Sequence, residues 1–304
     1  MNAPRTRVQR RPVHGVLLLD KPYGLSSNDA LQKAKWLLRA EKAGHTGTLD
    51  PLATGVLPLC FGAATKFSQL HLDADKTYEA IAVLGVQTST GDLEGEVVAE
   101  KPVNLTPEQL QQVQLKFTGP IDQIPPMYSA LKKDGKALYD YARAGIEVER
   151  EARHIVIHKL ALEEIAPVNA QRRLKMTVTC SKGTYIRALA EDLGTALNLP
   201  AHVKTLRRTQ AGPFGLTNAV TLAQLEAAVD TGSEDSLDAL LLPVDDSLTH
   251  LPSVLLSEAA TFYLRKGQTV VVPNGPQSGI TIYRTRVCSK FSINWRLWTK
   301  AQTV

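Results

Sequence analysis

Apolar residues along the chain fall into blocks whose spacing predicts particular secondary structures. Residues 15–20, GVLLLD, are almost all apolar and predict a buried strand. A helix is predicted from Ser27, because the next apolar positions recur every three or four residues: Ala30, Ala34, Leu37 and Leu38. This part of the chain therefore predicts a strand that leads into a helix.

A similar succession is predicted further along the chain. A second strand is expected from Thr77, in TYEAIAVLGV, and a third at residues 174–180, where apolar and polar residues alternate as in a strand with one buried face. After residue 183 the apolar spacing becomes helical: Ile186, Leu189, Leu193 and Leu197. Two capping boxes, in which a threonine and a glutamine three residues later bond each other's backbone, predict further helix starts at Thr106 and Thr221.

The composition fits a large domain followed by a small one. A chain of 304 residues that is 43% hydrophobic can bury a sizeable core. Residues 232–252 are rich in acids and predict a linker, so we expect a domain boundary near residue 250.

Several classes of protein are disfavoured. No apolar run approaches the roughly 18 residues of a membrane span, and no apolar signal core follows the basic residues near position 1, so we expect a cytoplasmic protein. The cysteines at positions 60, 180 and 288 form no C-x-x-C pair, which argues against a zinc site or a disulfide framework. Buried thiols are predicted instead.

The net charge of +5 is unevenly distributed. Residues 259–304 contain seven lysines and arginines and no acid, whereas the other 258 residues, with 28 basic and 30 acidic side chains, sum to −2. Arg5, Arg7, Arg10 and Arg11 form a second basic cluster. Such clusters are typical of surfaces that meet phosphate backbones, although a solvated surface is the commoner reason for a run of charge.

One carboxylate, Asp50, stands in the stretch GHTGTLDPLATGVLP at residues 44–58. Glycines at positions 44, 47 and 55 permit positive φ angles and the close approach of a ligand, and Pro51 stiffens the chain after the acid. A turn in which Asp50 caps the next residues is the simpler interpretation of an isolated Asp-Pro pair. A phosphate-binding loop fits less well, because no G-K-[ST] follows.

The stretch is one of several blocks that occur together in a known order. DKPYGLSS (20–27), GHTGTLDPLATG (44–55), KTYEA (76–80), CSKGTYIRALAEDLG (180–194) and LRRTQAGPF (206–214) closely resemble the bacterial tRNA pseudouridine synthase B family. IPPMYSALKKDGKALYDYARAG (124–145) resembles the bacterial-type insertion of that family. The resemblance covers about residues 15–250 and is far more specific than any single motif.

The resemblance implies an α+β fold, with a mixed and largely antiparallel central sheet flanked by helices. It also implies isomerisation of uridine to pseudouridine at position 55 in the T loop of tRNA. In this reaction the base leaves C1′, turns while it is held, and rejoins through C5, so the site needs a carboxylate nucleophile, a uracil pocket and a proton acceptor. No metal or redox cofactor is expected.

Site residues follow from the resemblance position by position. It implies that Asp50 is the nucleophile, that Tyr78 stacks on the uracil and is the candidate proton acceptor, and that Arg187 pairs with Asp50. The remaining implied contacts are with substrate: Tyr185 and Leu206 line the pocket, His45 and Thr46 enter the T loop once the target base is flipped out, and Lys21 lies close to the site. Each residue alone also has an ordinary structural interpretation.

The implied domains are a basic extension at residues 1–14, a catalytic domain at 15–250 and a PUA-like RNA-binding β-barrel at 251–304. The pattern of the barrel becomes atypical after about residue 280, as a shifted reading frame, a sequence error or divergence would each produce. Two other functions stay open: a tRNA-binding or folding factor without catalysis, and a guide-RNA-dependent relative. The insertion at residues 124–145 favours the stand-alone form, which we expect to be a monomer that needs no guide RNA.

Overall fold

The computed structural model describes residues 9–248, 252–271 and 282–285. The chain forms two compact units, residues 1–242 and 243–304. The predicted division into residues 1–14, 15–250 and 251–304 stays a prediction.

Sixteen strands lie in the described residues. In chain order they are β1 (Gly15–Lys21), β2 (Ala43–His45), β3 (Thr54–Phe61), β4 (Lys76–Leu84), β5 (Val86–Thr88), β6 (Val97–Glu100), β7 (Gly119–Gln123), β8 (Lys132–Lys133), β9 (Lys136–Ala137), β10 (Arg153–Val168), β11 (Gln171–Cys180), β12 (Ala201–Ala211), β13 (Phe214–Gly215), β14 (Val220–Thr221), β15 (Ser253–Leu256) and β16 (Ile282–Thr285).

Eight α-helices accompany these strands in the same part of the chain. They are α1 (Ser27–Leu37), α2 (Ser68–Leu72), α3 (Pro107–Lys116), α4 (Leu138–Arg143), α5 (Ile186–Ala196), α6 (Leu222–Asp230), α7 (Glu234–Asp238) and α8 (Glu258–Arg265). Two short 3-10 helices occupy Gly62–Phe67 and Asp246–Leu248.

A ten-stranded sheet forms the centre of the first unit. Its main path runs β14-β1-β3-β12-β4-β11-β10-β7, while β2 pairs with β3 and β13 with β12. Neighbours are antiparallel except for the β1–β14 and β3–β12 pairs, which are parallel. The predicted α+β class and the mixed, largely antiparallel sheet are confirmed.

The apolar spacing of the sequence places side chains as predicted. Ala30, Ala34 and Leu37 of α1 are buried, and the alternation along β11 puts Leu174, Met176 and Val178 in the core. Both predicted capping boxes are present at the starts of α3 and α6. Since each threonine and glutamine satisfies otherwise unpaired backbone groups, these helices begin where the sequence indicates.

The acidic stretch from residue 232 is not a simple linker. It contains α7, and Leu237 of this helix is buried in the core of the first unit. The linker prediction is therefore wrong for residues 234–238, because the pattern of acids around Leu237 hid a short helix with one buried apolar side chain.

Within the described residues the second unit contains β15, α8 and β16, and β15 and β16 pair in parallel. Ser257 caps α8 by accepting a hydrogen bond from the backbone N–H of Ala260. The predicted β-barrel and its atypical end after residue 280 lie mostly outside the described residues.

Cys60 and Cys180 are buried free thiols, as predicted, and Cys288 lies outside the described residues. Among the residues that the structure describes, no helix has both the length and the apolar character needed to cross a bilayer.

Candidate active site

The loop between β2 and β3 carries Asp50 and is anchored on both sides of the acid. Leu49 and Leu52, which flank Asp50 and Pro51, are buried in the core. The backbone N–H of Leu49 donates to Ser27 Oγ at 2.7 Å, and the hydroxyl of Ser27 donates back to the Leu49 carbonyl at 3.0 Å. The carboxylate therefore projects from a fixed turn.

Close packing also determines where glycine is needed in this stretch. Gly55 has a φ of +103°, and a Cβ atom there would lie 2.1 Å from the carbonyl oxygen of Arg208. Gly47 also has a positive φ, as predicted, whereas Gly44 does not, because it lies in the regular strand β2. Gly55 thus lets β3 and β12 approach each other next to the site.

A cavity of about 340 Å³ opens beside Asp50. This volume lies within the range of small-molecule binding sites. Five residues predicted from the sequence line it: Asp50, Tyr78, Tyr185, Arg187 and Leu206. They come from the β2–β3 loop, β4, the start of α5 and β12, so the fold brings together positions up to 156 residues apart in the sequence.

Arg187 holds Asp50 through a direct ion pair. Its Nε donates to Asp50 Oδ2 at 2.9 Å, while Nη1 donates to the Thr90 carbonyl at 2.8 Å and Nη2 to the Tyr128 carbonyl at 2.6 Å. The arginine side chain is only 4% exposed, but that of Asp50 is 34% exposed. The guanidinium is therefore a fixed support for a carboxylate that stays open to the cavity.

A second acid, Asp92, stands on the other side of Arg187 and was not predicted from the sequence. Its Oδ2 lies 3.5 Å from Arg187 Nη1, and its side chain is 6% exposed. Its Oδ1 accepts hydrogen bonds from the Thr90 hydroxyl and the Glu94 backbone N–H. No local motif around STGDLEG indicated this contact, because it depends on how the loop after β5 meets α5.

Tyr78 lies on the floor of the cavity, on β4. Across the β4–β12 pair its Cα partner is Arg208, so both side chains lie on the same face of the sheet. Burial raises the pKa of the Tyr78 hydroxyl, and the neighbouring Arg208 guanidinium opposes that rise. Arg208 also lines the cavity and was missed from the sequence, although it stands two residues after Leu206 on the same face of β12.

Tyr185 is positioned by two backbone hydrogen bonds at the start of α5. Gln123 at the end of β7 accepts from the Tyr185 N–H at 2.8 Å and donates to its carbonyl at 3.1 Å. Burial raises the pKa of the Tyr185 hydroxyl, which is therefore neutral near pH 7. Leu206 is buried and gives the cavity an apolar wall.

The other three predicted residues do not line this cavity. Thr46 is buried, and both its N–H and its hydroxyl donate to the Pro58 carbonyl. His45 is half-buried on β2, where burial, followed by the charge of Arg208, lowers the pKa of its imidazole. Their contact with substrate stays a prediction.

Lys21 lies behind the loop and is completely buried. Its ammonium donates to the carbonyls of Leu25 at 2.5 Å, Pro22 at 3.0 Å and Pro51 at 3.4 Å. Because Pro51 follows Asp50 directly, Lys21 can affect the site by holding the loop. Its direct contact with substrate stays a prediction that this burial does not favour.

Lys76 adds positive charge to the cavity wall. Its ammonium donates to the carbonyls of Leu72 at 2.6 Å and Ala74, so it also closes the end of α2. Burial, followed by the charge of Arg208, lowers the pKa of Lys76 to about 8. Lys76 and Arg208 therefore both contribute positive charge to the wall of the cavity.

Sequence comparisons assign most of the chain to one family. Residues 35–186 match the N-terminal domain of the TruB family of pseudouridylate synthases, and residues 187–249 match the tRNA pseudouridylate synthase B C-terminal domain. The tRNA pseudouridine synthase B of Verminephrobacter eiseniae is 63% identical over 86% of this chain and 79% of the relative. That of Pseudomonas aeruginosa is 56% identical over 89% of this chain and 88% of the relative.

Solved structures give the same fold. A Cbf5-Nop10-Gar1 complex contains a chain that is 28% identical, with a TM-score of 0.69 over 93% of this chain and 78% of that one. An H/ACA RNP bound to a substrate RNA containing 2′-deoxyuridine contains one that is 27% identical, with a TM-score of 0.68 over 90% of this chain and 75% of that one. The predicted pseudouridine synthase fold is confirmed, and the chain belongs to the TruB family of pseudouridylate synthases.

Proposed function

We propose that this protein converts uridine to pseudouridine at position 55 in the T loop of tRNA. The observation that carries the proposal is the Asp50 carboxylate, which is open to a cavity of suitable size and held from behind by Arg187. The curated relatives at 56% and 63% identity are named tRNA pseudouridine synthase B, which supports tRNA as the substrate.

Asp50 acts as the nucleophile in this proposal. Arg187 is nearly buried, so its charge is poorly screened and holds the carboxylate in one orientation while the glycosidic bond breaks. Leu206 and the rings of Tyr78 and Tyr185 form an apolar enclosure in which the detached uracil can turn without diffusing away. Asp50 is the one carboxylate at residues 44–58, and nucleophilic attack requires only one.

Tyr78 transfers the protons that move after the base has rejoined the ribose. Once the C1′–C5 bond has formed, the C5–H bond breaks, its electron pair restores the C5–C6 double bond, and the former C6–N1 π pair moves to N1. Tyr78 first donates its proton to N1 and, as the phenolate, then takes the proton from C5, so the phenol is unchanged after each turnover. Uridine and pseudouridine therefore contain the same atoms.

The target base must leave the T-loop stack to reach this cavity, because Asp50 faces the cavity and Tyr78 is buried at its floor. His45 at the end of β2 and the adjacent Thr46 are proposed to fill the space that the base leaves. Residues 15–250 are the proposed catalytic domain, and the basic residues after 251 are proposed to bind RNA. The protein is proposed to act as a cytoplasmic monomer.

The decisive experiment incubates purified protein with an unmodified tRNA transcript, without guide RNA, and maps pseudouridine by chemical probing. We expect one new pseudouridine at position 55. Modification only when a guide RNA is added would favour the guide-RNA-dependent alternative instead, and binding without modification would indicate a tRNA-binding factor. A transcript with cytidine at position 55 is the matched control and should stay unmodified.

A further inference from the structure

Arg208 is a buried charge whose function is not explained by the ion pair between Asp50 and Arg187. The residue is 1% exposed, and no carboxylate within the described part of the chain forms an ion pair with it. Its Nε donates to the Val56 carbonyl at 2.8 Å, whereas its Nη2 has no hydrogen-bond partner among the described residues. Burying a charge without an opposite charge beside it lowers the stability of the fold. This cost indicates that Arg208 has a function.

The neighbouring strand supplies a partner for this charge. Arg208 and Tyr78 are directly paired in the register of β12 and β4, and both side chains face the cavity that Asp50 lines. The guanidinium stands beside the Tyr78 hydroxyl. Burial raises the pKa of this hydroxyl, and the positive charge of Arg208 offsets part of that rise. The bond to Val56 fixes the guanidinium in this place.

We propose that Arg208 is a positioning residue for Tyr78. Its guanidinium directs the Tyr78 hydroxyl toward the base and stabilises negative charge on the phenol oxygen between the loss of one proton and the gain of the next. This inference rests on the proposed function, because it assigns Arg208 to the proton transfer between C5 and N1. Charge-assisted hydrogen bonds of this kind are stronger than neutral ones.

A direct contact between Arg208 and an RNA phosphate is less consistent with the structure. The side chain is almost fully covered, and Gly47 lies next to its Nη1. A phosphate would have to displace this cover, whereas Tyr78 is already in place. The two possibilities predict different kinetics.

The test is a double-mutant cycle with Arg208→Gln and Tyr78→Phe, measured as single-turnover rates on an unmodified tRNA transcript. Alone, Arg208→Gln should slow the reaction roughly 10- to 100-fold, the effect of losing a hydrogen bond to a charged group. In the Tyr78→Phe background the same change should slow it by no more than about twofold, because the hydroxyl on which it acts is already gone. The Kd for tRNA should change by no more than about twofold.

Two further variants help to distinguish a direct loss of rate from a loss of folding stability. Arg208→Lys retains a charge with a smaller disturbance, so it should lose less rate than Arg208→Gln and show a correspondingly smaller coupling with Tyr78→Phe. Arg207→Gln removes the adjacent arginine, which points to the opposite face of β12 and pairs with Asp20. This control should slow the reaction equally little in both backgrounds. Thermal unfolding of every variant identifies any loss that comes from instability.

Equal losses in the two backgrounds would overturn the proposal and show that Arg208 acts on the substrate directly. Weaker tRNA binding with an unchanged single-turnover rate would overturn it in favour of a phosphate contact. If the wild-type protein forms no pseudouridine, the proposed function fails instead, and the two failures are thereby distinguished.

Discussion

Arg187 Nε lies 2.9 Å from Asp50 Oδ2, and the two residues are 137 positions apart in the sequence. The arginine is nearly buried and also donates to the carbonyls of Thr90 and Tyr128. One guanidinium therefore connects the Asp50 loop, the loop after β5 and the insertion at residues 124–145. The geometry of the nucleophile depends on all three segments.

Replacement of Asp50 by asparagine should abolish isomerisation and leave tRNA binding nearly unchanged. The amide has nearly the same volume but is a very poor nucleophile, so we expect the rate to fall at least about 10⁴-fold, as for other nucleophile deletions. Single-turnover assays and filter binding measure the two properties. Appreciable turnover by the variant would contradict the assignment of Asp50.

Replacement of Arg187 by lysine should be severe even though the charge is kept. Lysine cannot donate to Asp50 and to two carbonyls in the fixed directions of a guanidinium. A nucleophile displaced by about 1 Å can lose roughly 100-fold in rate. The Arg187→Lys rate at saturating tRNA tests this, and a near-normal rate would show that charge alone is sufficient.

Replacement of Asp92 by asparagine should produce a smaller loss through the same arginine. Asp92 touches Arg187 but does not line the cavity, so the change loosens the support without removing a reacting group. We expect kcat to fall roughly tenfold, with little change in KM. Glu96→Gln is a matched control in the same segment, and an equal loss in this control would assign the effect to the loop as a whole.

Much of the fold could be predicted because local patterns determine it. The alternation along β11, the helical spacing of α1 and α5 and the two capping boxes each involve only neighbouring residues. The short helix α7 was missed because only one of its side chains, Leu237, is buried, and one apolar residue produces no period.

The candidate site was predicted less completely. Asp50, Tyr78, Tyr185, Arg187 and Leu206 were found through motifs, and the structure brings them to one cavity. Asp92 was missed because its contact depends on a loop meeting a distant helix, and Arg208 was missed because its strand is rich in basic residues. Arg11, in the basic cluster near position 1, donates to both oxygens of Asp238, and its contact with phosphate stays a prediction.

The stability of the protein should depend on pH through Lys21. Burial lowers the pKa of Lys21 to about 8, against 10.5 for an ordinary lysine. At a pH between about 8 and 10.5, the unfolded chain binds this proton more tightly than the folded protein does. Raising the pH through this range therefore stabilises the fold. The free energy of unfolding of wild type minus that of Lys21→Met should therefore rise by about 2 kcal/mol from pH 8 to pH 10.

Urea unfolding at a series of pH values measures this difference. Lys33→Met is a suitable control, because Lys33 is partly exposed and pairs with Glu226 at 2.7 Å on the surface. The change measured for Lys33→Met shows how much of any rise comes from removing a lysine as such. A flat difference for Lys21→Met would mean that the three carbonyls keep the ammonium protonated throughout.

A chain that ends at residue 250 should still convert uridine but bind tRNA more weakly. Every residue assigned to the reaction lies before this cut, and the first compact unit ends at residue 242. Residues 259–304 carry seven basic side chains and no acid, so their removal should flatten the salt dependence of binding. The slope of log binding constant against log salt concentration should change by roughly one unit for each phosphate that the tail neutralises in the full chain.

A salt titration of tRNA binding by the full and the shortened chain measures this change. An unchanged slope would show that the basic tail binds few phosphates, whereas a folded but inactive shortened chain would place part of the catalytic machinery after residue 250.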